Sequence, residues 1–161
     1  MNADRLTTRG GAIGGVAGAS LIAAAVLFIS GWEGEKLVAY ADGGGVWTIC
    51  DGHTKGVYPG MRATRDQCRQ WLADDITEHS AGMRQCATRP FKFYEEVATL
   101  SLTFNIGIKA FCNSSALRRH NAGDDAAACE LIKLWNQDNG RVVRGLVNRR
   151  EAESTLCSSN V

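Results

Sequence analysis

Three side chains in the first third of the chain have the types that glycoside cleavage requires: Glu33, Asp42 and Thr48. Breaking a glycosidic bond takes one carboxylic acid to protonate the leaving oxygen. It also takes a second carboxylate to stabilise the developing cation or activate a water. A Glu at a helix end beside an apolar cleft keeps its proton because desolvation penalises the anion. An Asp in a solvated, glycine-rich loop stays ionised, and a nearby hydroxyl can hold the attacking water. These residue types are common, however, and an exposed helix Glu followed by a turn Asp is the commoner outcome of such a spacing. Glu35 and Asp51 are rival carboxylates. If the helix carrying Glu33 runs on through Leu37, Glu35 lies about 200° around it from Glu33 and is expected in solvent.

The elements that must position these groups begin with a nineteen-residue uncharged stretch, Ala12 to Ser30. It is close to the length that crosses a bilayer as a helix. Arg5 and Arg9 precede it and would hold the N-terminus on the cytoplasmic side. Only eight of its residues are large and apolar, Ile13, Val16, Leu21, Ile22, Val26, Leu27, Phe28 and Ile29. Each favours insertion by about −0.3 to −0.6 kcal/mol, so such a helix can enter a membrane and leave it again. A cleaved signal peptide is a second reading, with small residues at Ala23-Ala24-Ala25, but a cut there leaves Val26 to Ile29 at the new terminus. A permanent anchor packing through Gly14, Gly18 and Ala25 is a third. The reversible anchor is favoured. Once outside a membrane, the helix is expected to find a groove, because an exposed apolar helix aggregates.

Downstream, the stretch Asp42 to Gly60 is glycine-rich and carries Val46, Trp47, Thr48 and Ile49, which reads as a small, turn-rich β-element. Helical patterning follows. Thr64 and Gln67 form a candidate capping box ahead of Cys68, Trp71, Leu72 and Ile76. A second helix runs from beyond Pro90 to about Gly107, and a third from Ser114 to Asn121. A fourth opens at Asp124, and a last one spans about Leu146 to Cys157. A β-turn lobe followed by helices is an α+β fold. The domain boundary is expected at residue 30, with 1–30 as the anchor segment and 31–161 as the folded body.

A formal net charge of +1 offers no basic patch for nucleic acid. The six cysteines, Cys50, Cys68, Cys86, Cys112, Cys129 and Cys157, all lie downstream of the apolar segment. No CxxC pair or zinc-finger His spacing occurs, so no metal or cofactor is expected. Behind an export-like segment, an even number of dispersed cysteines reads as three disulfides in an oxidising compartment. Six cysteines allow 15 connectivities, and order alone leaves the pairing open.

The context of the three candidate residues is more specific than their types. Glu33-Gly34, Tyr40, Asp42 and then Thr48-Ile49-Cys50-Asp51-Gly52-His53-Thr54 resemble the phage lysozyme family. The likeness continues at Phe104-Asn105-Ile106-Gly107, Trp135, Arg144-Gly145-Leu146 and Arg149-Arg150. The resemblance implies a lysozyme-like fold with a small β-lobe and a mainly helical lobe. It also implies hydrolysis of the β-1,4 bond between N-acetylmuramic acid and N-acetylglucosamine in peptidoglycan. Glu33 would be the general acid, Asp42 the second carboxylate and Thr48 the water-positioning hydroxyl, while His53 would be structural. Phe104 and Asn105 could line the sugar cleft, although an apolar helix with one amide is more often plain core. Arg149 and Arg150 are expected to pair with Glu151, Glu153 or helix carbonyls. The pairs Cys50–Cys68, Cys86–Cys112 and Cys129–Cys157 are implied in the same way.

Joined to an uncleaved, weakly apolar N-terminus, the pattern looks like the signal-arrest-release endolysins. That likeness implies tethering to the host inner membrane through residues 12–30, facing the periplasm, then release as a soluble periplasmic enzyme, with coupling to a holin or pinholin. No cysteine precedes Cys50, so tethering itself is expected to disable the site. Two other readings remain: a lytic transglycosylase, which can work with one Glu, and a membrane-anchored murein-binding protein without activity.

Overall fold

The computed structural model describes residues 12–160, with side chains from residue 18 onward except those of 19 and 160. Arg5 and Arg9 lie outside the described residues, and of Ile13, Gly14 and Val16 only the helical backbone is described. Among the described residues the order is α1 (Ala12–Ser30), β1 (Lys36–Ala41), β2 (Trp47–Cys50), α2 (Arg65–Cys86), α3 (Phe93–Ile106), α4 (Ile108–Cys112), α5 (Ser115–Asn121), α6 (Asp125–Leu131), β3 (Gln137–Asp138), β4 (Arg141–Val142) and α7 (Arg144–Cys157). Short 3-10 turns follow α6 and α7. This is the α+β arrangement expected, with two small antiparallel hairpins beside a helical body.

The core forms around α3, which is buried almost all round from Glu95 to Thr103. Its buried threonine hydroxyls are satisfied within the helix, Thr99 donating to the Glu95 carbonyl at 2.8 Å and Thr103 to that of Thr99 at 2.7 Å, while the Ser101 hydroxyl reaches α7. A helix can therefore carry Thr and Ser in a core without orphaned polar groups. α1, α2 and α7 pack against it. The Thr64–Gln67 capping box forms and starts α2, which buries Cys68, Leu72, Ile76 and Met83. At Gly82 a side chain would collide with Ile108, so the glycine lets α4 approach α2 closely. The β1–β2 pairing sets Tyr40 opposite Thr48 and Lys36 opposite Cys50. The second hairpin was not anticipated. Its Asn139-Gly140 turn has both residues at positive φ, 47° and 75°, the conformation that an Asn-Gly pair favours between short strands.

The disulfides are those implied by the resemblance. Cys50–Cys68 ties β2 to α2, Cys86–Cys112 ties the end of α2 to α4, and Cys129–Cys157 ties α6 to α7. Closing loops of 18, 26 and 28 residues contributes roughly 3 kcal/mol each in the chain-entropy account.

The N-terminal helix ends earlier than expected. Among the described residues no helix is long and apolar enough to cross a membrane. α1 is a member of the core, burying Leu21, Ala25 and Ile29 at intervals of four against α2 and α3. It does find a groove, as expected of an apolar helix outside a membrane. It also stops at Ser30 instead of continuing through Leu37. Gly31 and Gly34 weaken helix propagation, and the chain turns so that Lys36 can enter β1. The angular argument separating Glu33 from Glu35 therefore does not apply. Glu35 is nonetheless exposed, and Arg65 pairs with it at 3.2 Å.

Candidate active site

Glu33 hangs from the end of α1 by its backbone. The amides of Trp32 and Glu33 both donate to the Ile29 carbonyl, at 2.9 and 3.3 Å, and Ile29 is wholly buried. The side chain reaches α7, where Arg149 Nη1 donates to Oε1 at 2.6 Å. Oε2 has no protein partner among the described residues.

Arg149 is itself fixed from below. Its Nε donates to Glu153 Oε1 at 3.1 Å, and its Nη2 lies 3.3 Å from the Ser101 hydroxyl and 3.4 Å from the Ser101 carbonyl. The Ser101 hydroxyl donates to the same Glu153 oxygen at 2.6 Å, and Arg150 pairs with Glu153 at 2.9 Å. Burial pushes the Glu153 carboxyl above the ordinary range, against the pull of both arginines and the Ser101 hydroxyl. Burial also lowers the Arg150 guanidinium to about 10. Two guanidiniums thus face two carboxylates, and only Glu33 reaches outward. The expected Arg149 and Arg150 pairing with Glu153 is present, whereas Glu151 pairs with Lys133 instead.

Glu33, Phe104 and Asn105 line one cavity of about 310 Å³ together with Asp51, Gly52, Thr54, Lys55, Asp75, Glu78 and His79. Phe104 is half-buried and touches the His79 ring, with centroids 5.2 Å apart, while Asn105 is exposed. The cavity is not the apolar cleft expected for retaining a proton on Glu33. Charged side chains from α2 and the loop after β2 form much of its wall, and Arg149 is the group nearest the Glu33 carboxyl.

Asp42 and Thr48 belong to the other end of the same strand pair and do not line that cavity. Asp42 Oδ1 accepts from the amides of Gly44 and Val46, at 2.9 and 2.8 Å. The turn is closed by Gly45 at φ +79°. Among the described residues Asp42 Oδ2 has no protein partner. Thr48 is buried and its hydroxyl donates to the Val46 carbonyl at 3.1 Å. Asp42 and Thr48 are thus locked to the same residue from two sides. His53 has the structural role expected. Its Nδ1 lies 2.6 Å from Asp75 Oδ2 and its Nε2 3.0 Å from the Lys55 carbonyl, and its ring stacks on Trp71 at 4.9 Å.

The contact between Arg149 and Glu33 is the feature of the site that local pattern missed. The i, i+4 spacing of Arg149 to Glu153 is visible in the sequence, but the contact with Glu33 spans 116 residues and no periodicity signals it.

The chain is 36% identical to the SAR-endolysin of Pseudomonas phage phiKMV over 140 residues, covering 84% of this chain and 87% of that one. It is equally 36% identical to the SAR-endolysin of Escherichia phage 933W over 141 residues, covering 80% of each. Among solved structures, the endolysin from Escherichia coli O157:H7 phage FAHEc1 superposes with a TM-score of 0.76 at 33% identity, covering 86% of this chain and 92% of that one. Residues 30–153 match the Phage lysozyme family. With that match, a lysozyme-like fold and a carboxylate held at the mouth of a cleft, the chain belongs to the phage lysozyme family.

Proposed function

We propose that this peptidoglycan-hydrolysing endolysin is a muramidase in which Glu33 is the general acid, Asp42 the second carboxylate and Thr48 the group that positions water. The observation that carries this reading is the Glu33 carboxyl, held through Oε1 by Arg149, with Oε2 left for the cavity bounded by Phe104 and Asn105. In the reaction Glu33 Oε2 gives its proton to the glycosidic oxygen as the C–O bond breaks. The carboxylate so formed is stabilised by the guanidinium already in contact with it. A water held by Thr48 and Asp42 adds to the anomeric carbon, and its proton passes to Asp42, whose Oδ2 is uncommitted. The backbone amides of Gly44 and Val46, both donating to Asp42 Oδ1, keep that carboxylate oriented without reorganisation. The products are a reducing sugar end and a free hydroxyl.

Digestion of purified murein in heavy-oxygen water tests the hydrolytic step. Heavy oxygen at the new reducing end supports the muramidase. An anhydro-sugar end without label would identify a lytic transglycosylase, and no cleavage at all would leave a murein-binding protein.

Residues 1–30 act in this reading as the signal-anchor segment and 31–161 as the catalytic domain. The protein is exported to the periplasmic face of the inner membrane, and disruption of that membrane by a holin or pinholin releases it. Burial of Leu21, Ala25 and Ile29 supplies a physical reason for silence while tethered. A helix drawn into the bilayer removes these side chains from the core and with them the Ile29 carbonyl from which Glu33 hangs. A long flexible insert after Gly31 separates two mechanisms. Premature lysis would mean that the membrane hides the site, whereas silence until release is expected if α1 must occupy its groove.

A further inference from the structure

Asp51 is used by none of the steps above, yet it is the most deliberately placed carboxylate in the cleft. It stands at the tip of a three-residue loop whose flanks are locked: Ile49 and His53 exchange backbone hydrogen bonds at 2.9 and 3.0 Å. Within the loop Cys50 takes a left-handed conformation, φ +57°, and Gly52 follows at φ +96°. Left-handed backbone at a residue with a side chain costs of order 1 kcal/mol and persists only where the surroundings impose it. Here the Cys50–Cys68 disulfide pins the loop to α2.

The strained turn delivers Asp51 into the wall of the cavity that Glu33 lines. It is only 7% exposed, and among the described residues its carboxyl has no hydrogen-bond or ion-pair partner. Its electrostatic neighbours are unhelpful: Glu35 and Glu33 both oppose its ionisation, after burial itself, and the carboxyl is held above its ordinary range. Lys55, the cation sharing the cavity, is engaged by Asp75 and Glu78. The carboxyl opens on the cavity with no protein partner among the described residues, so the group that completes its hydrogen bonding has to come from outside the chain.

We propose that Asp51 is a substrate-contacting residue, whose carboxyl hydrogen-bonds a hydroxyl or acetamido group of the saccharide beside the bond that Glu33 protonates. This rests on the murein-cleavage reading and adds to it a residue that binds sugar in the ground state as well as the transition state. Its removal therefore falls on KM and leaves kcat largely intact.

The test measures apparent KM and kcat on purified murein, with thermal unfolding, for the full-length wild type, Asp51→Ala and Asp51→Asn. The expected result for Asp51→Ala is an apparent KM raised roughly tenfold, kcat within about twofold, and a thermal midpoint at neutral pH at or above that of the wild type. The sign of the stability change follows from linkage. A carboxyl raised on folding weakens the folded state above its folded pKa, and that cost fades as pH falls towards its unfolded value. The gain from removing it should accordingly fade near pH 4. An unchanged KM overturns the proposal, and so does a raised KM accompanied by a lowered midpoint, which marks a structural role. Should Asp51→Ala not fold, the isosteric Asp51→Asn carries the test. It cannot ionise, so the pH dependence of KM in the acid range should lose the part that Asp51 contributes, with Glu33, Glu35, Asp75, Glu78 and His79, the other groups around the cavity, left in place. A profile identical to wild type overturns the proposal. A wild type that releases no product removes the murein-cleavage reading itself, an outcome distinct from either.

Discussion

Two buried charge clusters lie towards opposite ends of α3, and they are finished differently. Near its start, Glu95 Oε1 is 2.7 Å from His120 Nδ1, the ring's Nε2 is 3.1 Å from the Arg89 carbonyl, and Phe91 stacks on the ring at 3.9 Å. Asp125 completes this group, paired with Arg89 and, at 3.3 Å, with Lys92. The ligand atoms of Glu95, His120 and Asp125 lie within 4.8 Å of one another, close enough for a cation. Both ring nitrogens are already engaged, however, and two cations already face Asp125. This cluster is closed on itself and serves the fold. Further along the helix, Ser101, Glu153, Arg149 and Arg150 form a similar inward network, but it ends in Glu33, with one oxygen held and the other at a cavity. On the proposed reading, that difference separates a cluster that serves the fold from one that serves the reaction. A structural cluster satisfies its members internally, and a reactive one leaves a group uncommitted where substrate can meet it.

The comparison can be broken by removing one member from each cluster. The largest effect is expected from Arg149→Met, which frees Glu33 and leaves Glu153 with one guanidinium fewer. Murein cleavage should fall about 100-fold or more, with a loss of roughly 3 kcal/mol in chemical denaturation. Retained activity would mean that Arg149 is only a structural pin. Next comes Glu153→Gln, which leaves two buried guanidiniums with less countercharge. About 3 kcal/mol of stability should be lost, while the surviving folded fraction keeps much of its specific activity.

The closed cluster should respond in stability alone. Asp125→Asn is expected to cost about 1 kcal/mol and to leave kcat unchanged on murein. The hydrogen bond from Arg89 holds the Asp125 carboxyl below its usual range, with further help from Lys92. Its stabilisation is therefore present above the unfolded pKa and lost as pH falls through the lower folded value. Acid titration of thermal stability should show that loss in the wild type and a smaller one in the variant. Equal slopes would remove Asp125 from the account.

Most of the scaffold was legible because its signals are local. The Thr64–Gln67 box, the Pro90 and Gly107 boundaries of α3 and the Asp124 cap each act within one helical turn. The catalytic candidates and the disulfide pairing were legible through resemblance, since neither residue type nor spacing selects Glu33 over Glu35 or one connectivity among fifteen. Two features escaped for a common reason: the Arg149 contact depends on docking of α7, and the charged wall of the cavity depends on α2 facing the loop after β2, so each is set by contact between segments distant in sequence. The stop of α1 at Ser30 has a local signal in Gly31 and Gly34, outweighed in the sequence by the helical pattern through Leu37. The Asn139-Gly140 hairpin is a different case, because its signal, an Asn-Gly pair between short extended segments, is local.

The central claim is that Glu33 is the acid of a murein-cleaving site. The most direct measurement is release of reducing sugar ends from purified murein by the soluble full-length protein and by Glu33→Gln, with disulfides intact and folding checked by thermal unfolding. The account predicts abundant reducing ends from the wild type and a loss of about 1,000-fold or more in the variant. Comparable product from a folded Glu33→Gln protein would contradict it.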